Sequence, residues 1–99
     1  MSSGMSVKFE WDLKKAAFNL SKHGVAFEEA LTVFGNPLAK IFDDEDHSIE
    51  EQREIIIGHS VNNRLLLVCF TAQQESIRIF SARKATKQEQ KDYEENVKS

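Results

Sequence analysis

Residues 77 to 95, IRIFSARKATKQEQKDYEE, close an apolar run with two adjacent cations, Arg83 and Lys84. Arginine offers a planar fork for two oxygens of a phosphate or carboxylate, and lysine a point charge. Arg78, Lys87 and Lys91 flank them, with Glu89 the one acid between Ile77 and Lys91. The opposite balance holds from Asp43 to Glu54, where seven acids face Arg53. So polarised a charge map can gather several cations around one phosphate. Histidine changes charge near neutral pH and can carry protons. His23 follows Lys22 at the end of a helical pattern, where the helix dipole favours a cation. His47 follows the acidic run DDED, and His59 sits in an apolar strand pattern. Asp43, Asp44, Asp46 and His47 are metal-ligand types, but their spacing fits no recognised ligand pattern and the run reads as a solvated loop, so no metal is expected. Cys69 lies in the apolar stretch LLLVCF and reads as a buried strand residue, not a nucleophile. Gly-rich phosphate loops and nucleophile elbows are absent.

These side chains belong to a chain of 99 residues, 40% hydrophobic and 29% charged, with a formal net charge of -3. The length suits one domain with a real core. The net charge argues against a generally basic nucleic-acid coat protein but permits a local basic site. A single cysteine cannot form an internal disulfide, which suits a reducing cytoplasm. No apolar run approaches the roughly 20 residues of a membrane span. Residues 1–6, with MSSG ahead of Met5, read as a disordered tail or cloning scar, and residues 7–99 as one domain.

The elements that must position the candidates follow from periodicity and capping. A short strand is expected at Val7 to Trp11, with Asp12 as the N-cap of a first helix. Leu13, Ala16, Ala17 and Leu20 give that helix an apolar face expected to pack, and Gly24 ends it. Phe27, Ala30, Leu31 and Phe34 repeat the spacing in a second helix that stops at Gly35 to Pro37. Four strands are expected at Leu38–Phe42, Arg53–Val61, Arg64–Ala72 and Ser76–Arg83. Asn62-Asn63 suits a tight hairpin turn, and Gln73 to Glu75 is another short connection, so sequential strands should form an antiparallel meander. Thr86 and Glu89 form a capping box that starts a last helix. Its only apolar pair is Tyr93 and Val97, so it lies on the surface or waits for a partner. Alternation places Arg78 and Lys84 on one face and Arg83 on the other, unless a bulge intervenes. The fold class is α+β.

The segment FEWDLKKAAFNLSKHGVAFEEA resembles the opening of the BrnT family, the toxin halves of bacterial type II toxin–antitoxin pairs. Trp11-Asp12, Lys15, Asn19, Lys22-His23-Gly24-Val25, Phe27 and Ala30 carry the resemblance. It continues through Asp46-His47, Arg53, Gly58, Ser81-Ala82-Arg83, Ala85, Glu89 and Tyr93. Phe80 departs from it, since the family usually has a smaller aliphatic there. The resemblance implies a RelE-like fold, with two N-terminal helices on a twisted antiparallel sheet meander and a C-terminal helix. It also implies an RNA-cleaving toxin neutralised by a BrnA-type antitoxin with a ribbon-helix-helix part, the complex binding operator DNA. Metal-free RNA cleavage needs a base for the 2′-OH, an acid for the leaving 5′-oxygen, and fixed cations. Arg83 and Lys84 suit the cations, with Arg83 serving phosphate and not the core. His23 or His47 suits the proton transfers, and Lys22, Arg53, Arg78 and Lys87 suit further RNA contacts. No cofactor is implied. Two other readings remain at this level: a non-catalytic module binding protein and nucleic acid, and a metal nuclease using Asp43, Asp44, Asp46 and His47.

Overall fold

The structure, a computed structural model, describes residues 7–44 and 52–98. The expected N-terminal tail, Asp46 and His47 lie outside the described residues. Five strands form one sheet: β1 (Lys8–Glu10), β2 (Lys40–Asp43), β3 (Glu54–His59), β4 (Leu65–Ala72) and β5 (Ser76–Lys84). Three helices, α1 (Leu13–His23), α2 (Phe27–Ala30) and α3 (Lys87–Lys98), accompany it, and a 3₁₀ segment, Leu31–Gly35, continues α2. The strand order is β1-β5-β4-β3-β2.

β2 to β5 pair antiparallel, as the short β3–β4 and β4–β5 connections require of those two pairs, and Asn63 takes the positive φ of the β3–β4 turn. The sheet is nonetheless mixed and not the purely antiparallel meander expected. β1 runs parallel to β5, with Lys8 opposite Ser76 and Glu10 opposite Arg78. Loop length constrains only strands consecutive in the chain, and β1 and β5 are separated by everything else.

One sheet face packs under α2 and its 3₁₀ extension. Phe27, Ala30 and Val33 are fully buried there against Ile56, Leu66, Val68, Phe70, Ile79 and Ala82. Aromatic edges knit this side, with Phe34–Phe70 at 4.9 Å and Trp11–Phe27 at 5.7 Å between centroids. The second helix is α-helical for only one turn. The Thr32 hydroxyl donates to the Glu29 carbonyl at 2.6 Å and accepts from Val61 N–H, offering the backbone an alternative to the helical ladder. Gly58 admits this close packing, since a Cβ there would lie 2.8 Å from that of Ala39. The opposite face is covered by α3, whose Tyr93 and Val97 pack on Ile55, Ile57, Leu65 and Leu67. Tyr93 also donates from its hydroxyl to Leu38 O at 2.9 Å. The terminal helix is therefore already docked through the apolar pair that the sequence left without a partner.

α3 is fastened at its start. Thr86 and Glu89 form the expected capping box, and the Glu89 carboxylate also accepts two 2.8 Å bonds from the Arg83 guanidinium. Arg83 thus has a structural partner that the sequence reading did not give it.

α1 departs furthest from expectation. Asp12 caps it and Gly24 ends it at φ 71°, as read. Of its apolar stripe only Ala16 packs against the core, while Leu13 is 80% exposed and Leu20 52%. The buried residue is Asn19. β1 covers only the first three residues of β5, leaving later backbone groups of that edge to be satisfied by something polar. Asn19 does so, donating to Ala82 O at 2.8 Å and accepting from Ala82 N–H at 3.0 Å, while also donating to Val25 O at 2.9 Å.

Two outcomes follow. Asn19→Ala leaves those buried groups unsatisfied at about 1–3 kcal/mol each, so a loss of roughly 3 kcal/mol or more is expected in urea unfolding. Asn19→Leu should fare no better, and a loss below about 1 kcal/mol for either would show that α1 is not held by this contact. The second concerns acid. Arg83, foremost, holds the Glu89 carboxyl down to about 2 from 4.5, so its stabilisation is complete above the unfolded value and lost as pH falls toward 2. Glu89→Gln should lower stability at neutral pH by about 1 kcal/mol, the pair being partly exposed, and flatten the decline between about pH 5 and 2. An unaltered acid limb would remove the pair from the account.

Candidate functional site

With Asn19 turned toward β5, the residues near it on α1 line the same side of the molecule. Lys15, Phe18, Lys22 and His23 border a hollow of about 320 Å³ whose far wall is Arg53, Phe80 and Ser81. A second hollow of about 250 Å³ shares His23, Arg53 and Ser81 and runs over Asp44, Ile55, Leu67, Cys69 and Arg83. Sharing three residues, they are two lobes of one open cleft. It lies between the C-terminal half of α1 and the α3-covered face of the sheet.

A β-bulge shapes the cleft wall. Cys69 pairs with Ser81 and Phe70 with Ile79, so Phe80 is an extra residue in β5. A bulge re-aims side chains and shifts the alternation. Phe80 turns to the cleft with Ser81, and the Arg53 guanidinium carbon lies 3.9 Å from its ring centroid. The Lys15 ammonium is 5.4 Å from the same centroid. At these distances the ring's negative face attracts both cations. The bulge also settles the faces of the strand's charges. Arg78 falls on the Arg83 side, while Lys84 pairs with Leu66 on the other face.

The electrostatics are locally basic on an acidic chain. Among the described residues, Lys15, Lys22, Arg53 and Arg83 line the cleft with one carboxylate, Asp44. Arg83 shares its charge with Glu89. The Cys69 thiol donates to Asp44 Oδ2 at 3.5 Å, and burial, then this contact, push it up to about 11. It is a neutral thiol at physiological pH, in keeping with the sequence reading.

Of the residues singled out from the sequence, His23, Lys22, Arg53 and Arg83 meet at this cleft. Lys84 does not join Arg83, because consecutive strand residues face opposite ways. Arg78 reaches Glu10 at 3.3 Å on the surface, and Lys87 is exposed at the start of α3. His47 lies outside the described residues. Four contributors were given no site role from the sequence. Lys15 stands seven residues before Lys22, a spacing that signals one helix face. Phe18 looked like an incidental apolar residue, Phe80 like core, and Ser81 entered only as part of the family resemblance.

A family model described as the ribonuclease toxin BrnT of type II toxin–antitoxin systems matches residues 11–89. A crystal structure of the Brucella abortus ribonuclease toxin BrnT superposes with a TM-score of 0.65 at 24% identity, covering 83% of this chain and all of that one. That likeness concerns the fold. No curated protein matches the chain. The family match spans most of the sequence, including both walls of the cleft, and the chain belongs to the BrnT family, ribonuclease toxins of type II toxin–antitoxin systems.

Proposed function

We propose that this RelE-like toxin cleaves RNA at the basic cleft without a metal, by attack of a 2′-oxygen on the adjacent phosphorus. The observation that carries the reading is the convergence of Lys15, Lys22, His23, Arg53 and Arg83 on one open cleft of a chain with net charge -3. In the reaction the 2′-oxygen forms a bond to phosphorus, its proton passes to a base, and the bond to the 5′-oxygen breaks as that atom takes a proton. His23 is the base, standing where both lobes meet. Protonation of the 5′-oxygen is the part the sequence offers to His47. Extra negative charge on the phosphoryl oxygens is met by Lys22 and Arg53, which act as fixed cations. Arg83 contributes less charge than a lone arginine, because Glu89 occupies its fork. Its main part is to fix the cleft wall to α3.

Purified protein should therefore cut RNA in EDTA and leave a cyclic 2′,3′-phosphate. His23→Gln should lower the rate at least tenfold, in line with the roughly 10²–10⁴-fold typical of general acid–base catalysis, with little change in melting temperature. Cleavage abolished by EDTA would sink the metal-free mechanism, and an unchanged rate in the variant would remove His23 from it.

A type II toxin has a protein antitoxin, and we take this one to be BrnA-type, with a ribbon-helix-helix part that lets the complex bind operator DNA. Such a partner silences the site by covering the cleft with acidic and apolar side chains. Apolar contact would dominate affinity, while charge sets orientation and association rate. β5 pairs with β4 along its length and with β1 over its first three residues, so many of its amides are already laddered and report poorly on cover. Lysine labelling is the better probe: Lys15 and Lys22 should lose reactivity in the complex while Lys87 keeps it. Full inhibition with Lys15 and Lys22 still reactive would show that the antitoxin acts elsewhere.

A further inference from the structure

We infer that the lobe between Phe18 and Phe80 is a nucleobase pocket, taking one unstacked base of a single-stranded RNA beside the phosphate to be cut. This rests on the ribonuclease reading above and adds a substrate requirement to it.

Phe18 is 65% exposed on a helix whose neighbouring turn carries Lys15 and Lys22. An exposed aromatic ring beside cations is what single-strand readers use: rings take the base faces, and the charges follow the backbone. The second aromatic, Phe80, lies at the bulge, which lets it and Ser81 both face the lobe. Both rings already attract cations, Lys22 at 5.7 Å from the Phe18 centroid and Arg53 at 3.9 Å from that of Phe80. A base replacing Lys22 on Phe18 would free that ammonium for its own phosphate. Arg53, over the Phe80 ring, brings a planar guanidinium, a group that also stacks on bases. The lobe, about 320 Å³, is at the lower end of the roughly 300–1,000 Å³ usual for small-ligand sites. That volume suits one base and no duplex. The lobe shares His23, Arg53 and Ser81 with its neighbour, so a base held there has its phosphate at the proposed reacting position.

The test is binding of a short 2′-O-methyl oligonucleotide, uncuttable by 2′-oxygen attack, read by fluorescence anisotropy, with an abasic site moved along it. In the wild type one abasic position should weaken binding, and Phe18→Ala should weaken the intact oligonucleotide by about 5- to 150-fold. In Phe18→Ala the abasic position should then cost nothing further. Phe18→Trp should bind at least as tightly as wild type. The salt dependence should be unchanged in the Phe18 variants, whereas Lys22→Ala should reduce its slope by about 0.7 for the lost phosphate contact. Phe18 is largely exposed, so its variants are expected to fold, and circular dichroism checks this. RNA cut and bound normally by Phe18→Ala would overturn the pocket and leave the ribonuclease reading standing. A wild type that neither binds the oligonucleotide nor cuts RNA would overturn both.

Discussion

The carboxamide of Asn19 is the contact on which the rest of the molecule's functional side depends. It gives the Ala82 N–H and C=O of β5 a partner where β1 has ended, and ties the same helix to Val25 beyond its C-cap. A carboxamide mimics the backbone, offering Ala82 one N–H donor and one C=O acceptor in a plane with a second N–H left for Val25 O, so a helix side chain can continue a sheet edge. Had a leucine stood there, the edge would have stayed open to water or been left unpaired at several kcal/mol. Docking through a polar residue also explains why Leu13 and Leu20 of α1 remain exposed. The helix is oriented by two hydrogen bonds to one residue, and its hydrocarbon content follows.

That orientation makes a cleft. With Asn19 inward, Lys15 and Lys22 border the hollow at its rim, and His23 sits half-buried where the lobes join. The opposing wall depends on a different device. The bulge at Phe80 breaks the alternation of β5, so that Phe80 and Ser81 both face the cleft and Arg53 stacks on the ring. Neither wall would gather cations alone. Together they give an acidic chain a locally basic recess, where function follows charge distribution and not its sum.

Charge is also used structurally, and the two uses compete for the same residues. Arg83 stands at the cleft yet spends its fork on Glu89, which in turn caps α3. The pair joins the cleft wall to the helix covering the other half of the sheet face. A comparable latch, Arg64 with Glu29, Ser60 and Gly24, ties α2 to the β3–β4 hairpin at the far end. Lys15 and Lys22, on flexible stems with their ammonium groups near the Phe80 and Phe18 rings, are the cations best suited to a phosphate.

The sequence by itself determined the local elements, because their causes are local. Asp12 and Gly24 bound α1, Thr86 and Glu89 start α3, and Asn62-Asn63 turns the β3–β4 hairpin, each through bonds within a few residues. It also determined the family, through residues spaced from Trp11 to Glu89. The tertiary structure alone decided what depends on distant neighbours. β1 lies parallel to β5, Asn19 and not Leu13 or Leu20 turns inward, and Arg83 and Lys84 part to opposite faces. Hydrophobic periodicity assumes that a helix packs by its apolar stripe, and here an unsatisfied strand edge outweighed that rule. Strand alternation likewise assumes an unbroken ladder, and one extra residue at Phe80 reassigns the faces on either side of it. Such reversals arise from hydrogen bonds and registers between segments far apart in the chain, which no window of neighbouring residues contains.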